Sequence, residues 1–184
     1  MNTGSLLQRL AGHFERAGIS YMVVGSFAST LHGMPRTTHD IDIVVDLTSA
    51  SLTAFLSDLT EEAYYISEGA ARDALKRRTQ FNVIDLATGW KIDLIVLKRR
   101  PFSVEEFQRR VPARLLDAEV FVASAEDTIL SKLEWSAKSG SERQLQDVAS
   151  IVAVKGKSLD LEYVDRWAHQ LGVSDRWEQI RPQH

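Results

Sequence analysis

Three acidic residues interrupt apolar runs of this sequence, and their spacing suits the binding of a divalent metal ion. Asp40 and Asp42 alternate with isoleucine in the run from 40 to 45, which has the two-residue period of a β-strand. On such a strand both carboxylates face the same side, about 6.6 Å apart. Like charges at that distance repel, and a hard cation such as Mg²⁺ would offset the repulsion because it takes carboxylate oxygens as ligands. Asp93 adds a third acid within a second apolar run.

Asp85 competes with Asp93 for the third place in this group. It lies close to Thr88 and Gly89, which form a predicted turn. Aspartate favours turns because its side chain hydrogen-bonds to nearby backbone. We therefore predict that Asp40, Asp42 and Asp93 are both the catalytic acids and the metal ligands.

A candidate phosphate-binding element precedes the first two acids. Gly25 and Ser26 follow a short apolar run and open a predicted helix. The free N–H groups of a helix N-terminus favour anions, glycine lets a phosphate approach the backbone, and the Ser26 hydroxyl adds a donor. Arg36, in the loop before the acids, is a further candidate phosphate contact.

Each of these features alone has an ordinary explanation, because a half-exposed strand also alternates and many helices begin with glycine and serine. Together they indicate phosphoryl transfer, in which two metal ions about 3.5–4 Å apart clamp the attacking and leaving oxygens.

Two other metal-dependent classes of enzyme remain open. A glycosyltransferase also uses Asp-x-Asp, but several strands precede the motif there and only one does here. A nuclease would have less need of the glycine–serine turn, which fits a triphosphate better.

The elements that would position these residues form a mixed α/β half followed by helices. Apolar spacing predicts strands at 21–24, 40–45, 81–84, 91–97 and 120–122, with a hairpin around Thr88 and Gly89. The predicted helices cover 5–17, 25 to a break at Gly33 and Pro35, 49–60, 69–78, 124–138, 141–154, 160–171 and 174–180. The predicted fold class is α+β, a mixed sheet flanked by helices. Its core covers residues 1–122 and a C-terminal helical segment covers 123–184.

The composition excludes several classes of protein. The 184 residues are 44% hydrophobic and include no cysteine, so a disulfide framework, a thiolate zinc site and a cysteine nucleophile are excluded. No apolar run approaches the roughly 20 residues of a membrane span, and no signal peptide is visible. We therefore expect a cytoplasmic protein without a membrane partner. The net charge of −3 gives no overall attraction to nucleic acid.

The motifs, in this order, resemble the polymerase-beta-type nucleotidyltransferase superfamily. Its members share an apolar-Gly-[Gly/Ser] turn, then Asp-x-[Asp/Glu] on the next strand, then a third acid on a later strand. Here these are Val24-Gly25-Ser26, Asp40-Ile41-Asp42 and Asp93.

A smaller bacterial group, which includes the AbiE-type abortive-infection toxins, is particularly similar. The run from Arg36 to Asp42 carries this likeness. In that group a C-terminal helix carries an Asp and a Lys-Leu pair, and the next helix carries an Arg and an Asp. The stretch from Asp127 to Leu133, with Arg143 and Asp147 after it, is similar. The whole resemblance covers residues 20–150.

This resemblance implies an enzyme that moves a nucleoside monophosphate from a nucleoside triphosphate to a hydroxyl acceptor, with Mg²⁺ or Mn²⁺ as its cofactor. It implies that Lys132 and Arg143 bind the triphosphate, together with Gly25, Ser26 and Arg36. The implied acceptor is tRNA or other RNA, a protein or a small molecule, and a cognate antitoxin is an implied partner. No second domain suited to gripping nucleic acid is visible, which favours single transfer over polymerisation.

The main alternative is a catalytically weak protein on the same fold that binds a nucleotide or a partner. Retention of all three acids argues against it, since a scaffold would not need them. His32 and His39 flank the predicted site, where a metal or acid–base role competes with an ordinary loop position.

Overall fold

The computed structural model describes residues 3–38 and 40–182, which form a mixed seven-stranded sheet flanked by helices. The predicted α+β class is confirmed. The strands are β1 Ser20–Val23, β2 Asp40–Asp46, β3 Tyr64–Ile66, β4 Gln80–Asp85, β5 Lys91–Val96, β6 Val111–Leu115 and β7 Ala118–Val122. The helices are α1 Thr3–Arg16, α2 Gly25–His32, α3 Ser49–Asp58, α4 Glu68–Arg77, α5 Pro101–Gln108, α6 Ala125–Ser139, α7 Glu142–Lys155, α8 Leu161–Leu171 and α9 Ser174–Glu178.

The sheet order places β2 and β5 near its centre. The strands run in the order β3-β4-β5-β2-β1-β7-β6. β2 is parallel to β5 and β1 is parallel to β7, whereas the other pairs are antiparallel. β4 and β5 form the predicted hairpin, and Gly89 in their turn has a φ of 72°.

The two faces of the sheet have different roles. Ile41, Ile43 and Val45 on β2 are buried in the main core, together with apolar residues of α1, α3 and α4. Because side chains alternate along a strand, the aspartates of β2 point to the opposite face. That face looks toward α5 and α6, so the packing that buries the isoleucines also aims the acids into one cleft.

A second hydrophobic cluster joins the C-terminal helices. It contains Ile129, Leu133, Val148 and Trp167, from α6, α7 and α8. Phe102 of α5 packs in the same cluster although it precedes the predicted boundary at residue 122. The helical segment is therefore packed onto α5 and not only onto residues that follow it in sequence.

Two strands and one α-helix of the described chain were not predicted. β3 has three residues at the edge of the sheet, and β6 is an exposed edge strand, so neither carries a strong apolar period. α5 begins with Pro101 at its first turn, a position where proline favours a helix start. The change of composition there concealed the helix. None of the described helices is both long enough and apolar enough to cross a membrane.

Candidate active site

The pairing of β2 with β5 brings the predicted acids together. The register sets Asp42 opposite Asp93 and Asp40 opposite Lys91. Neighbouring strands lie about 4.8 Å apart, and residues two apart share a face, so the three carboxylates occupy one patch of the sheet. The predicted adjacency of these two strands is confirmed.

Charges of the same sign meet in this patch. Burial raises the pKa of Asp42 to about 6, and the charges of Asp40 and Asp93 add to the rise. Asp93 is itself buried, and Lys91 Nζ lies 2.9 Å from its Oδ2. Its Oδ1 is one of two buried side-chain atoms, among the described residues, that lack a hydrogen-bond partner. An unpaired buried acceptor is costly, so the patch favours a ligand that brings positive charge or a donor.

Asp85 lies apart from this patch, as its turn position predicted. It is on the core face of β4, where its Oδ2 accepts a hydrogen bond from the Thr88 backbone N–H at 3.1 Å. Its Oδ1 forms a 2.7 Å ion pair with Arg9. Both carboxylate oxygens therefore have structural partners.

Gly25 holds the start of α2 against the acids. Its φ is 61°, a left-handed conformation that side chains disfavour. A Cβ atom at this position would lie 2.1 Å from Asp42 Oδ2, so only glycine fits. The N-terminal turn of α2, with its free N–H groups, therefore lies directly beside Asp42.

Arg36 and Lys132 are joined by a shared acid, Asp147. Arg36 Nε lies 3.0 Å from Oδ1 of Asp147, and Lys132 Nζ lies 2.7 Å from Oδ2. Arg36 also donates a hydrogen bond to Ser26 Oγ, and Lys132 donates one to Gln144 at 3.0 Å. The structure thus brings three of the predicted phosphate contacts together at the start of α2.

The sequence resemblance implies that Lys132 binds the triphosphate. The structure buries it, and burial lowers its pKa against the opposing effect of its bond to Asp147. Burial also acts on Asp147, but the hydrogen bonds from Lys132 and Arg36 outweigh it and lower the pKa of that acid.

One cavity of about 590 Å³ opens over this patch. All the residues predicted to act in catalysis, metal binding or nucleotide binding line it. These are Gly25, Ser26, Arg36, Asp40, Asp42, Asp93, Lys132 and Arg143. Arg143 is exposed at the start of α7 and makes no hydrogen bond or ion pair with another described residue, so its guanidinium is available to a ligand.

A model of one protein family, described as nucleotidyltransferase of unknown function (DUF6036), matches residues 5–179. The chain belongs to this family. The match spans nearly the whole sequence and identifies the protein as a nucleotidyltransferase. No curated protein matches the sequence.

Solved structures of other nucleotidyltransferases share the fold. An antigenic nucleotidyltransferase-like protein from Paracoccidioides brasiliensis is 15% identical over 98% of this chain and 94% of its own, with a TM-score of 0.58. ANT(2″)-Ia, in complex with adenylyl-2″-tobramycin, is 12% identical over 94% of this chain and 98% of its own, with a TM-score of 0.63. The lincosamide antibiotic adenylyltransferase LnuA, bound to lincomycin, is 15% identical over 83% of this chain and 98% of its own, with a TM-score of 0.58. At these identities the likeness is one of fold.

The acids of this nucleotidyltransferase have the donor chemistry of a divalent metal site. They offer carboxylate oxygens, as Mg²⁺ requires, and Oδ1 of Asp93 has no other partner. As placed, no three acidic or histidine side chains of the described residues form a group that could hold an ion. Lys91 is bonded to Oδ2 of Asp93, so this contact must open before both oxygens of that acid are available.

The two candidate histidines have different outcomes. His32 is buried at the end of α2, where its Nε2 lies 2.7 Å from the backbone oxygen of Ala123. Burial lowers the pKa of His32, which is the behaviour of a neutral histidine tied into the core. His39 lies outside the described residues.

Sequence reasoning missed the far wall of the cavity. Ser103 and Glu106 on α5, with Ser131 and Trp135 on α6, line it opposite the acids. Trp135 is 58% exposed. Because α5 was not predicted, nothing in the sequence indicated that Glu106 lies near the site. Pro101 as a helix start was the signal that could have found it.

Proposed function

We propose that this nucleotidyltransferase moves a nucleoside monophosphate from a nucleoside triphosphate to a hydroxyl group, with Asp40, Asp42 and Asp93 as catalytic acids and metal ligands. One observation carries the proposal. Asp42 is paired with Asp93 across parallel strands and also touches the helix start at Gly25. The acids that we propose to bind metal and the helix terminus that we propose to bind phosphate are therefore in contact at Asp42.

The triphosphate would lie along the start of α2. The N–H groups after Gly25 and the hydroxyl of Ser26 would donate hydrogen bonds to its oxygens. Arg36 and Lys132 would exchange part of their bonding to Asp147 for phosphate oxygens. Arg143, exposed at the cavity edge, would neutralise the outer phosphates.

A bound Mg²⁺ or Mn²⁺ would offset the repulsion among the acids and stabilise charge on the attacking and leaving oxygens. Lys91 is half exposed on a flexible side chain, so its ammonium would move into solvent when Asp93 takes up the ion. Asp93 would accept the proton of the attacking hydroxyl. The hydroxyl oxygen then forms a bond to the α-phosphorus, and the bond to pyrophosphate breaks.

Label transfer tests this function. The protein is incubated with Mg²⁺, each of the four α-labelled nucleoside triphosphates, and a cell extract. We expect the wild type to label an acceptor and Asp42→Asn to reduce the rate at least a thousandfold, as expected when a charged group at the reacting centre is removed.

Asp46→Asn is the matched control for this test. Asp46 ends the same strand, but it pairs with Arg99 at 3.1 Å and does not line the cavity. It should transfer at the wild-type rate. Full activity of Asp42→Asn would sink the proposed chemistry.

The acceptor decides between the roles that the sequence resemblance implies. Labelled tRNA or a labelled protein would support a toxin of the AbiE type, restrained by a cognate antitoxin. A labelled small molecule would support an enzyme that modifies a diffusible substrate. The same incubation separates these products by size and by sensitivity to ribonuclease and protease.

A further inference from the structure

The cavity continues past the acids along the same two strands. Val44 and Ile95 follow Asp42 and Asp93 by two residues on the same face, so they form an apolar floor about 6.6 Å further on. α5 and α6 wall this region, which we call the far compartment, and no part of the proposed triphosphate binding uses it.

Glu106 lies on the wall of the far compartment with one carboxylate oxygen free. Only 7% of the residue is exposed. Ser131 Oγ donates a hydrogen bond to its Oε1 at 2.7 Å, and no other described residue bonds to it. No described residue bonds to Oε2, and Glu106 is one of the residues that line the cavity.

No described residue forms an ion pair with Glu106. Arg100 donates hydrogen bonds to both carboxylate oxygens of Glu134, with 2.6 Å between Nη2 and Oε2. Its Nε also donates to Ser103 Oγ at 2.8 Å. Burial raises the pKa of Glu106 to about 8; Asp127 and Glu134 add to the rise, and the Ser131 bond and Arg100 oppose it. A buried acid is costly to ionise unless it is paired, and a cationic ligand would supply the pair.

We propose that the far compartment binds the acceptor, and that the acceptor is a small molecule carrying an ammonium group as well as the hydroxyl that is modified. The ammonium pairs with Oε2 of Glu106, and the apolar part of the molecule rests on Val44 and Ile95. The triphosphate shares the same 590 Å³, so the acceptor group that enters the far compartment must be small. A phosphate backbone is disfavoured because it supplies no cation to pair with Glu106. The inference rests on the proposed function, since the hydroxyl must reach the acids.

The test filters a cell extract into a macromolecular fraction and a small-molecule filtrate, and a cation exchanger divides the filtrate into retained and flow-through fractions. Each fraction is incubated with the protein, Mg²⁺ and the four α-labelled nucleoside triphosphates. We expect label to enter a compound of the retained fraction. Glu106→Gln should lower that rate at least tenfold while the dissociation constant of the triphosphate stays within twofold of wild type.

Two control variants separate binding from structure. Gln keeps the size of Glu and keeps an oxygen that accepts from Ser131, so the fold should survive Glu106→Gln. Ser131→Ala removes the tie between the helices but keeps the carboxylate, so its loss of rate should be smaller than that of Glu106→Gln. Glu105→Gln changes the neighbouring residue outside the cavity and should behave as wild type.

Each other outcome has a definite meaning. Label from the flow-through or macromolecular fraction alone overturns the inference without any variant, and so does a wild-type rate in Glu106→Gln. Equal losses in Glu106→Gln and Ser131→Ala reduce Glu106 to a structural tie and overturn it too. No transfer from any fraction by the wild type overturns the proposed function, and the inference falls with it.

Discussion

At the residue scale, Asp42 carries a charge that its own surroundings oppose. Its pKa is raised to about 6 by burial and by two neighbouring acids. The folded form therefore binds a proton more tightly than the unfolded chain, whose aspartates titrate near 3.9. Stability that is present below about pH 4 is lost as the pH rises through 6. A bound cation would restore it, so the same repulsion that weakens the metal-free fold favours metal binding.

We predict that Asp42→Asn stabilises the metal-free protein above pH 6 by about 2–3 kcal/mol, because about two pKa units separate the folded and unfolded states. The difference should fall to about 0.5 kcal/mol near pH 4, where the wild-type acid is protonated in the folded state and about half protonated in the unfolded chain. Thermal melts with a chelator at pH 4, 5, 6 and 7.5 measure it. A lower melting temperature for Asp42→Asn at pH 7.5 would contradict this reading of the acids.

Gly25→Ala should disrupt the same patch by crowding. The new methyl group would meet Asp42 Oδ2, and the φ of 61° disfavours any side chain. We expect a loss of about 2 kcal/mol or more in the free energy of unfolding, and weaker triphosphate binding. Gly69→Ala is the control, since a Cβ there meets open space within a helix. Chemical denaturation of both variants measures the free energies of unfolding. Equal stability of the two variants would contradict the prediction.

At the scale of elements, α6 serves both ends of the cavity. Lys132 faces Asp147 and the start of α2, whereas Ser131 and Trp135 face the far compartment. One helix therefore sets the distance between the proposed triphosphate and acceptor positions. A shift of α6 would change both at once.

Lys132→Ala should weaken triphosphate binding by about 1–3 kcal/mol, the worth of a charge-assisted hydrogen bond. It should also lower stability by a comparable amount because Asp147 loses a donor, although Arg36 remains. Lys138→Ala, on an exposed part of the same helix, is the control. Titration of Mg-ATP into both variants gives the dissociation constants. A wild-type value for Lys132→Ala would leave the triphosphate to Ser26, Arg36 and the metal.

At the scale of the whole molecule, Asp127 ties the helical segment to α5. It is fully buried and bonds to Ser124 at 2.6 Å, to Tyr163 at 2.6 Å and to Arg109 at 3.2 Å. These partners come from the starts of α6 and α8 and the end of α5. The far wall of the cavity is thus fixed by contacts outside the cavity.

Tyr163→Phe should lower the free energy of unfolding by about 1.5–3 kcal/mol, because it removes a buried hydrogen bond to a charged group. It should leave the triphosphate dissociation constant unchanged, since Tyr163 does not line the cavity. Tyr65→Phe is the control, because Tyr65 is 61% exposed and its loss should cost under about 0.5 kcal/mol. Equal denaturation midpoints would show that the Asp127 network does not hold the helices.

The sequence by itself determined the elements with a clear period and the acids within them. The alternation from Asp40 to Val45 specified a strand, its buried face and therefore the shared face of Asp40 and Asp42. The turn at Thr88 and Gly89 separated Asp85 from Asp93. These conclusions depend on neighbours within a few residues, which local sequence records.

Only the tertiary structure decided how distant elements meet. Pairing of β2 with β5 joins residues about fifty apart, and no local pattern specifies that register. The same holds for Asp147, which joins Arg36 and Lys132 across sequence separations of 111 and 15 residues. Glu106 shows the limit most clearly. The proposed role of its carboxylate depends on a cavity formed by α5, α6 and two strands. Burial by elements that are distant in sequence cannot be predicted from the residues next to Glu106 in the chain.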